Sequence, residues 1–142
     1  MFQIIPDGFD PIRIGMRRAE IDAALAEQPR TDHAAEREEQ AFVYRDGCVR
    51  VVMRGDRAVE LAISPPVQAS FRGAPLFGHP ATWRDIVAAD GDAKEALGFI
   101  VLLRLRLTLT GFHDDDRAQL AITAFEPGRW DFMNERLTPF TV

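Results

Sequence analysis

Few residues of this chain have the type and spacing to do chemistry, and each has a plain structural alternative. The three histidines, His33, His79 and His113, are far apart and none has a partner at metal-ligand spacing. His113-Asp114-Asp115-Asp116 offers three carboxylates to a hard cation, but no glutamate follows at EF-hand spacing, and an acidic turn is the simpler reading. Cys48 is the single cysteine, which excludes an internal disulfide framework and a cysteine-based zinc site. Cationic neighbours such as Arg50 and Arg54 can make a thiol reactive, but an incidental half-exposed thiol fits this position as well. The serines, Ser64 and Ser70, lie in no Gly-x-Ser-x-Gly pattern. Gly73-Ala74-Pro75-Leu76-Phe77-Gly78 lacks the Lys-Ser/Thr of a phosphate loop, and Pro75 removes an amide donor. The expectation is a chain with no catalytic residue, no cofactor and no metal.

Charged residues on strand faces are the better candidates. Glu60 falls in mid-strand on the same face as Arg45, Arg50 and Arg54, where a cross-strand ion pair is the expected arrangement. Arg50, Arg54, Arg104 and Arg106 are expected to form a stripe on the open side of a sheet. With Glu60 they are the candidate partner-binding residues, because the planar guanidinium can pair carboxylates bidentately. Readers of single-stranded nucleic acid also need aromatic rings on that face. The open face offers none from the first three strands and only Phe125 later, so nucleic acid is not the expected partner.

The elements that must position these residues follow from periodicity. Residues 1–14, with Ile4, Ile5, Phe9 and Ile12 interrupted by Pro6, Gly8 and Pro11, read as an extended opening segment or short edge strand. Gly15–Gln28 has good helix formers, with Ile21, Ala24 and Leu25 on one face and Pro29 as the stop. Thr31–Gln40, with Glu36, Arg37, Glu38 and Glu39 in a row, reads as a solvated connection, with at most a helical turn. Next come three antiparallel strands. Ala41–Arg45 and Cys48–Arg54 are joined by Asp46-Gly47 as a type I′ turn, setting Tyr44 opposite Val49 and Phe42 opposite Val51. After Gly55-Asp56-Arg57, a longer loop with a bulge sets Met53 opposite Val59, Val51 opposite Leu61 and Val49 opposite Ile63. The buried face then holds Val59, and the other face holds Ala58. A second helix is expected near Thr82–Ala89, capped by Thr82 with Asp85 three residues on. Leu103–Thr110 alternates Leu with Arg or Thr at strict period two and reads as one half-buried strand. Its partner is Ala118–Glu126, across a turn at Gly111–Asp116. The tail 127–142, with Trp130, Phe132, Met133, Leu137 and Phe140, is apolar enough to pack on the body or on a partner.

The order helix, strands, helix, strands predicts an α+β fold with two layers: one antiparallel sheet carrying two helices on one face. Ile21-Ala24-Leu25 recurs in form as Trp83-Ile86-Val87, so two helix-then-hairpin repeats, 12–64 and 76–126, are expected within a single domain 1–142. At this length the chain buries about 68% of its unfolded surface, enough for a core without staples. The charge of −5 argues against nonspecific nucleic-acid binding, and the excess of Arg over a single Lys follows as readily from codon usage as from function. The longest apolar run, Phe99–Leu103, is far short of a membrane span, and the first residues have no signal-peptide pattern. A cytoplasmic location is expected, with no membrane partner.

Gly15-Met16-Arg17-Arg18-Ala19-Glu20-Ile21, the Asp46-Gly47 hairpin, Phe71-Arg72-Gly73-Ala74-Pro75-Leu76-Phe77-Gly78 and Phe125-Glu126-Pro127-Gly128-Arg129-Trp130-Asp131 together resemble a group of small bacterial proteins of immunity-protein type. The plan is also similar to the tandem helix–meander repeats of the β-lactamase-inhibitor-protein architecture, although members of that group are secreted and disulfide-bonded. The resemblance implies a binding or inhibitory role toward a partner protein, such as a toxin, and brings no catalytic residues. The alternatives are a small-ligand-binding protein, with a pocket between sheet and helices, or a subunit of a homo-oligomer.

Gly47 is the sharpest local test. As the second central residue of a type I′ turn it needs φ > 0, where a β-branched side chain is strained. Gly47→Val is expected to destabilise the protein by about 1–3 kcal/mol, read as a lowered urea midpoint.

Overall fold

Two rows of apolar side chains run side by side across six strands and account for most of the architecture. Tyr44, Val49, Ile63, Ile122, Leu109 and Ile100 are successive cross-strand partners, and so are Phe42, Val51, Leu61, Ala124, Leu107 and Leu102. All are buried. A computed structural model describes residues 1–34, 36 and 38–142.

The chain opens with three short strands, β1 (Phe2–Ile5), β2 (Gly8–Asp10) and β3 (Ile12–Arg13), followed by α1 (Arg18–Leu25). Next come β4 (Arg30–Asp32), β5 (Glu39–Tyr44), β6 (Val49–Arg54) and β7 (Arg57–Ile63). The second half has β8 (Ala69–Phe71), β9 (Ala74–Pro75) and α2 (Thr82–Asp90). It continues with β10 (Lys94–Ala96), β11 (Phe99–Leu102), β12 (Leu107–Thr110), β13 (Ala121–Phe125) and β14 (Thr138–Pro139).

These strands form two sheets. The large sheet has nine strands in the order β14-β10-β11-β12-β13-β7-β6-β5-β4, all antiparallel. The small sheet has five, β3-β2-β1-β8-β9, with one parallel pairing between β1 and β8. The fold is therefore α+β, as the periodicity predicts, but with a second sheet where a single continuous one is expected. The opening segment is not one edge strand. Its breaks fold it into β1, β2 and β3, which pair with β8 and β9 and bring Phe2, Phe9 and Ile12 into the core. The inner face of the large sheet shares this core with Ile21 and Leu25 of α1 and Trp83, Ile86 and Val87 of α2.

The first hairpin has the expected register, and Asp46 (φ 55°) and Gly47 (φ 91°) take the left-handed angles of the turn. The β6–β7 hairpin differs in detail. Val49 faces Ile63 and Val51 faces Leu61 as expected, but Met53 faces Ala58 and Arg54 faces Arg57, around a bulge at Val52/Met53. The turn is a tight Gly55-Asp56, and Val59 is the extra residue. The bulge exchanges two side chains between faces. Ala58 joins the main core, while Val59 turns to the outer face beside Ala41 and Val52.

Both helices are trimmed relative to the sequence pattern. Ala26, left-handed at φ 53°, ends α1 well before Pro29. At α2 the capping position is Ala81, and Thr82 is a buried first helical residue rather than the cap. The tail packs as expected, with Met133 buried and β14 paired to β10.

The largest correction concerns Leu103–Thr110. The chain reverses at Leu103–Arg106, so Leu102 pairs with Leu107 and only residues 107–110 form the strand. Period two is satisfied by a strand and by a hairpin shoulder alike, and this turn carries no Gly, Pro or Asn to mark it. It is held by tertiary contacts instead. Asp90, buried at the end of α2, accepts the Leu105 amide at 2.9 Å, and Arg106, left-handed at φ 57°, pairs with Asp7. Asp90→Ala leaves that amide without its partner and is expected to cost about 1–3 kcal/mol, read from denaturant unfolding.

Candidate functional site

The outer face of the large sheet carries the polar chemistry. Side chains alternate, so the residues flanking the inner rows point outward: Glu39 on β5, Arg50, Val52 and Arg54 on β6, Glu60 on β7 and Phe125 on β13. Glu39 faces Arg54, and Glu60 lies between Val52 and Phe125 in the ladder. After β13 the chain turns at Pro127-Gly128 and lays Arg129 and Trp130 back over these strands. The result is a cleft of about 730 Å³ between the β5–β7 floor and this returning segment, within the common range for ligand sites.

The floor is a closed ion network. Arg129 grips Glu39 with both terminal nitrogens at 2.9 Å, and its Nε donates to Glu60 at 3.0 Å. Arg54 donates to Glu39 at 3.0 Å and to Glu126 at 2.6 Å. Arg50 donates to Asp32 at 3.4 Å and to the His33 carbonyl at 2.8 Å, and reaches Glu60 at 4.0 Å. Glu39 is the hub. Its side chain is 3% exposed and that of Arg129 is 15% exposed, so the bidentate pair is largely shielded from water. Hydrogen bonding from Arg129 holds the Glu39 carboxyl below the usual carboxylate range, and the same bond raises the Arg129 pKa. Hydrogen bonding to Glu126 likewise raises that of Arg54.

Aromatic rings form one wall. Trp130 stands over the buried Phe125 at 6.5 Å between ring centres and meets Phe99 edge-on at 5.4 Å. Phe132 stacks on Trp130 at 5.7 Å and is 77% exposed. The open face is thus richer in aromatics than the sequence reading expects, because Trp130 and Phe132 arrive from the segment after β13 and Phe99 from β11.

The structure divides the predicted candidates. Arg50, Arg54 and Glu60 come together here. Arg104 and Arg106 do not, because they belong to the reversal after β11. Arg106 turns to Asp7, and the Arg104 guanidinium lies beside Gly91, 3.3 Å from where a Cβ there would stand. There is no four-arginine stripe. Glu39, Glu126, Arg129, Trp130 and Phe132 are the residues that sequence reasoning missed. One signal was available: extending the predicted Phe42–Val51 register outward sets Glu39 opposite Arg54. The stretch read as a solvated connection instead contributes β4 and the buried Glu39, and its Arg37 lies outside the described residues.

The remaining chemical candidates are scattered. The Cys48 thiol donates to the Pro65 carbonyl at 3.4 Å. Asp116 accepts the Ala118 amide at the start of a short 3-10 turn, and His113 packs edge-on against Phe140. Among the described residues no group of three His, Cys, Asp or Glu is placed to hold a metal ion, and no helix is long and apolar enough to cross a membrane. On the inner face the buried Tyr44 is satisfied: its hydroxyl donates to Asp22 at 2.6 Å, and burial, followed by that carboxylate, pushes its pKa up.

In comparisons with known proteins the chain matches no family model, no curated protein and no solved structure.

Glu39→Gln keeps the shape of the hub but leaves Arg129 shielded beside a neutral group, and is expected to cost about 3 kcal/mol. A carboxylate whose pKa falls on folding adds stability above its unfolded value, near 4.5 here, and loses it as pH drops through the lower folded value. The wild-type protein should therefore lose stability below about pH 4.5 more steeply than Glu39→Gln does, in urea titrations across the acid range.

Proposed function

We propose that the chain is a non-catalytic protein-binding module of immunity or inhibitor type, acting in the cytoplasm, and that the cleft on the outer sheet face is its docking surface. The observation that carries this reading is the Trp130–Phe132 stack, held beside an ion network that is already closed. A phenyl ring 77% exposed adds little to folding, and its neighbour Met133 is the residue that anchors this segment in the interior. Rings that are immobilised before binding cost little entropy to use, and aromatic and Arg residues dominate interface hot spots. The paired floor serves the same end. Its side chains are fixed by each other, so a partner meets a surface of defined shape.

We also read the chain as two helix-then-hairpin units. The order of elements supports this, since α1 is followed by four successive antiparallel strands, β4 to β7, and α2 by four more, β10 to β13. The two sets meet through their last strands, β7 and β13. In that plan the cleft lies close to the junction, where the outer faces of both units and the returning segment are all within reach of one partner. A nucleic-acid partner is disfavoured by the five glutamates that line the cleft among the described residues, which would repel phosphate.

The test is affinity capture from the native host with three forms of the protein. Wild type and Leu97→Asn, which changes an exposed apolar residue outside the cleft, should retain the same partner. Phe132→Asp should lose it by more than tenfold, with an unchanged melting temperature. Equal capture by all three forms would remove the cleft from the interface.

A further inference from the structure

The charge balance of the cleft identifies the chemistry of what it takes. The three arginines among its described residues are committed: Arg129 to Glu39 and Glu60, Arg54 to Glu39 and Glu126, and Arg50 to Asp32 and Glu60. An acidic partner would have to displace a carboxylate already held at 2.6–3.0 Å by Arg54 or Arg129. Among the described residues five glutamates line the same cleft, Glu36 and Glu38 in addition to the three of the network. Among the described lining residues five negative charges stand against three positive, and the whole chain, at −5, adds a field of negative sign. The remaining wall is the Trp130–Phe132 stack. An aromatic face carries negative charge density and attracts a cation, most strongly a guanidinium that can lie flat on it. Acids and an exposed ring that line one cleft are the two components of a site for a long cationic side chain, whose alkyl stem covers apolar surface while its head stays charged.

We propose that the cleft receives an arginine- or lysine-bearing segment of the partner protein, its cationic head near Glu36 and Glu38 and its stem or guanidinium plane against Phe132. This inference rests on the protein-binding reading and adds the sign and shape of the partner's contact residue. It also assigns the ion network a role. By neutralising Arg50, Arg54 and Arg129 internally, the three paired glutamates keep these arginines from repelling an incoming cation.

The probe is a short synthetic peptide of alternating Arg and Ser, compared with the same peptide carrying citrulline or Glu in place of Arg. Binding is followed by the indole N–H resonance of Trp130. The Arg peptide is expected to bind saturably, shift that resonance and weaken as salt is raised. Its Kd should rise at least tenfold for Phe132→Ala and for the double change Glu36→Gln with Glu38→Gln. The citrulline and Glu peptides should leave the resonance in place. Binding of the Glu peptide, or equal binding of the Arg and citrulline peptides, overturns the inference. If no peptide binds while Phe132→Asp still abolishes capture of a partner, the cationic inference fails and the protein-binding reading stands. If the Arg peptide binds the cleft but Phe132→Asp captures as wild type does, the protein-binding reading fails and the cation site remains.

Discussion

The ladder between β7 and β13 is the interaction on which the rest of the structure depends. Four register pairs, from Ile122–Ile63 to Phe125–Glu60, join two four-stranded meanders into one sheet. Through this seam the apolar rows continue from Tyr44 to Ile100 and from Phe42 to Leu102, so both halves of the chain share a single core. The same seam sets Glu60 beside Phe125 on the opposite face. It thereby delivers the segment after β13 to the surface of the first meander, where Arg129 closes on Glu39.

The two faces are stabilised by different physics. On the inner face the rows and the helices exclude water, and the Tyr44 hydroxyl finds Asp22. The outer face is built from charges, and there a buried charge is tolerated only when fully paired. Glu39 meets that condition through three nitrogens, two from Arg129 and one from Arg54. Its cost and its use coincide. The network adds little to stability beyond what an apolar cluster would, but it fixes the orientation of the loop that carries Trp130 and Phe132.

The bulge at Val52/Met53 shows how a small irregularity shapes this surface. It lets a two-residue turn at Gly55-Asp56 coexist with the register that the core rows require. The additional residue, Val59, is turned outward, where it closes an apolar patch with Ala41 and Val52 beside the ion network. Without it, a tight turn would set Val51 opposite Glu60 and place a carboxylate in the core.

Local pattern alone determined the register of the strands from Ala41 to Arg54 and the core pairs Val49–Ile63 and Val51–Leu61, because each strand has one apolar and one polar face, but not the entry of Glu39 into the first strand or the face that Val59 takes. It also determined both helices, the α+β class and the apolar character of the tail. The reversal at Leu103–Arg106 was decided only by tertiary structure, because its stabilising groups, Asp90 and Asp7, lie far away in sequence. The small sheet was likewise undetermined, since its pairing of β1 with β8 spans the whole first half of the chain. The candidate site divides along the same line. Arg50, Arg54 and Glu60 were legible because alternation places them on one face. Arg129, 90 residues from Glu39, and the rings of Trp130 and Phe132 were not, because a side chain that reaches a sheet from a loop leaves no period in the sequence.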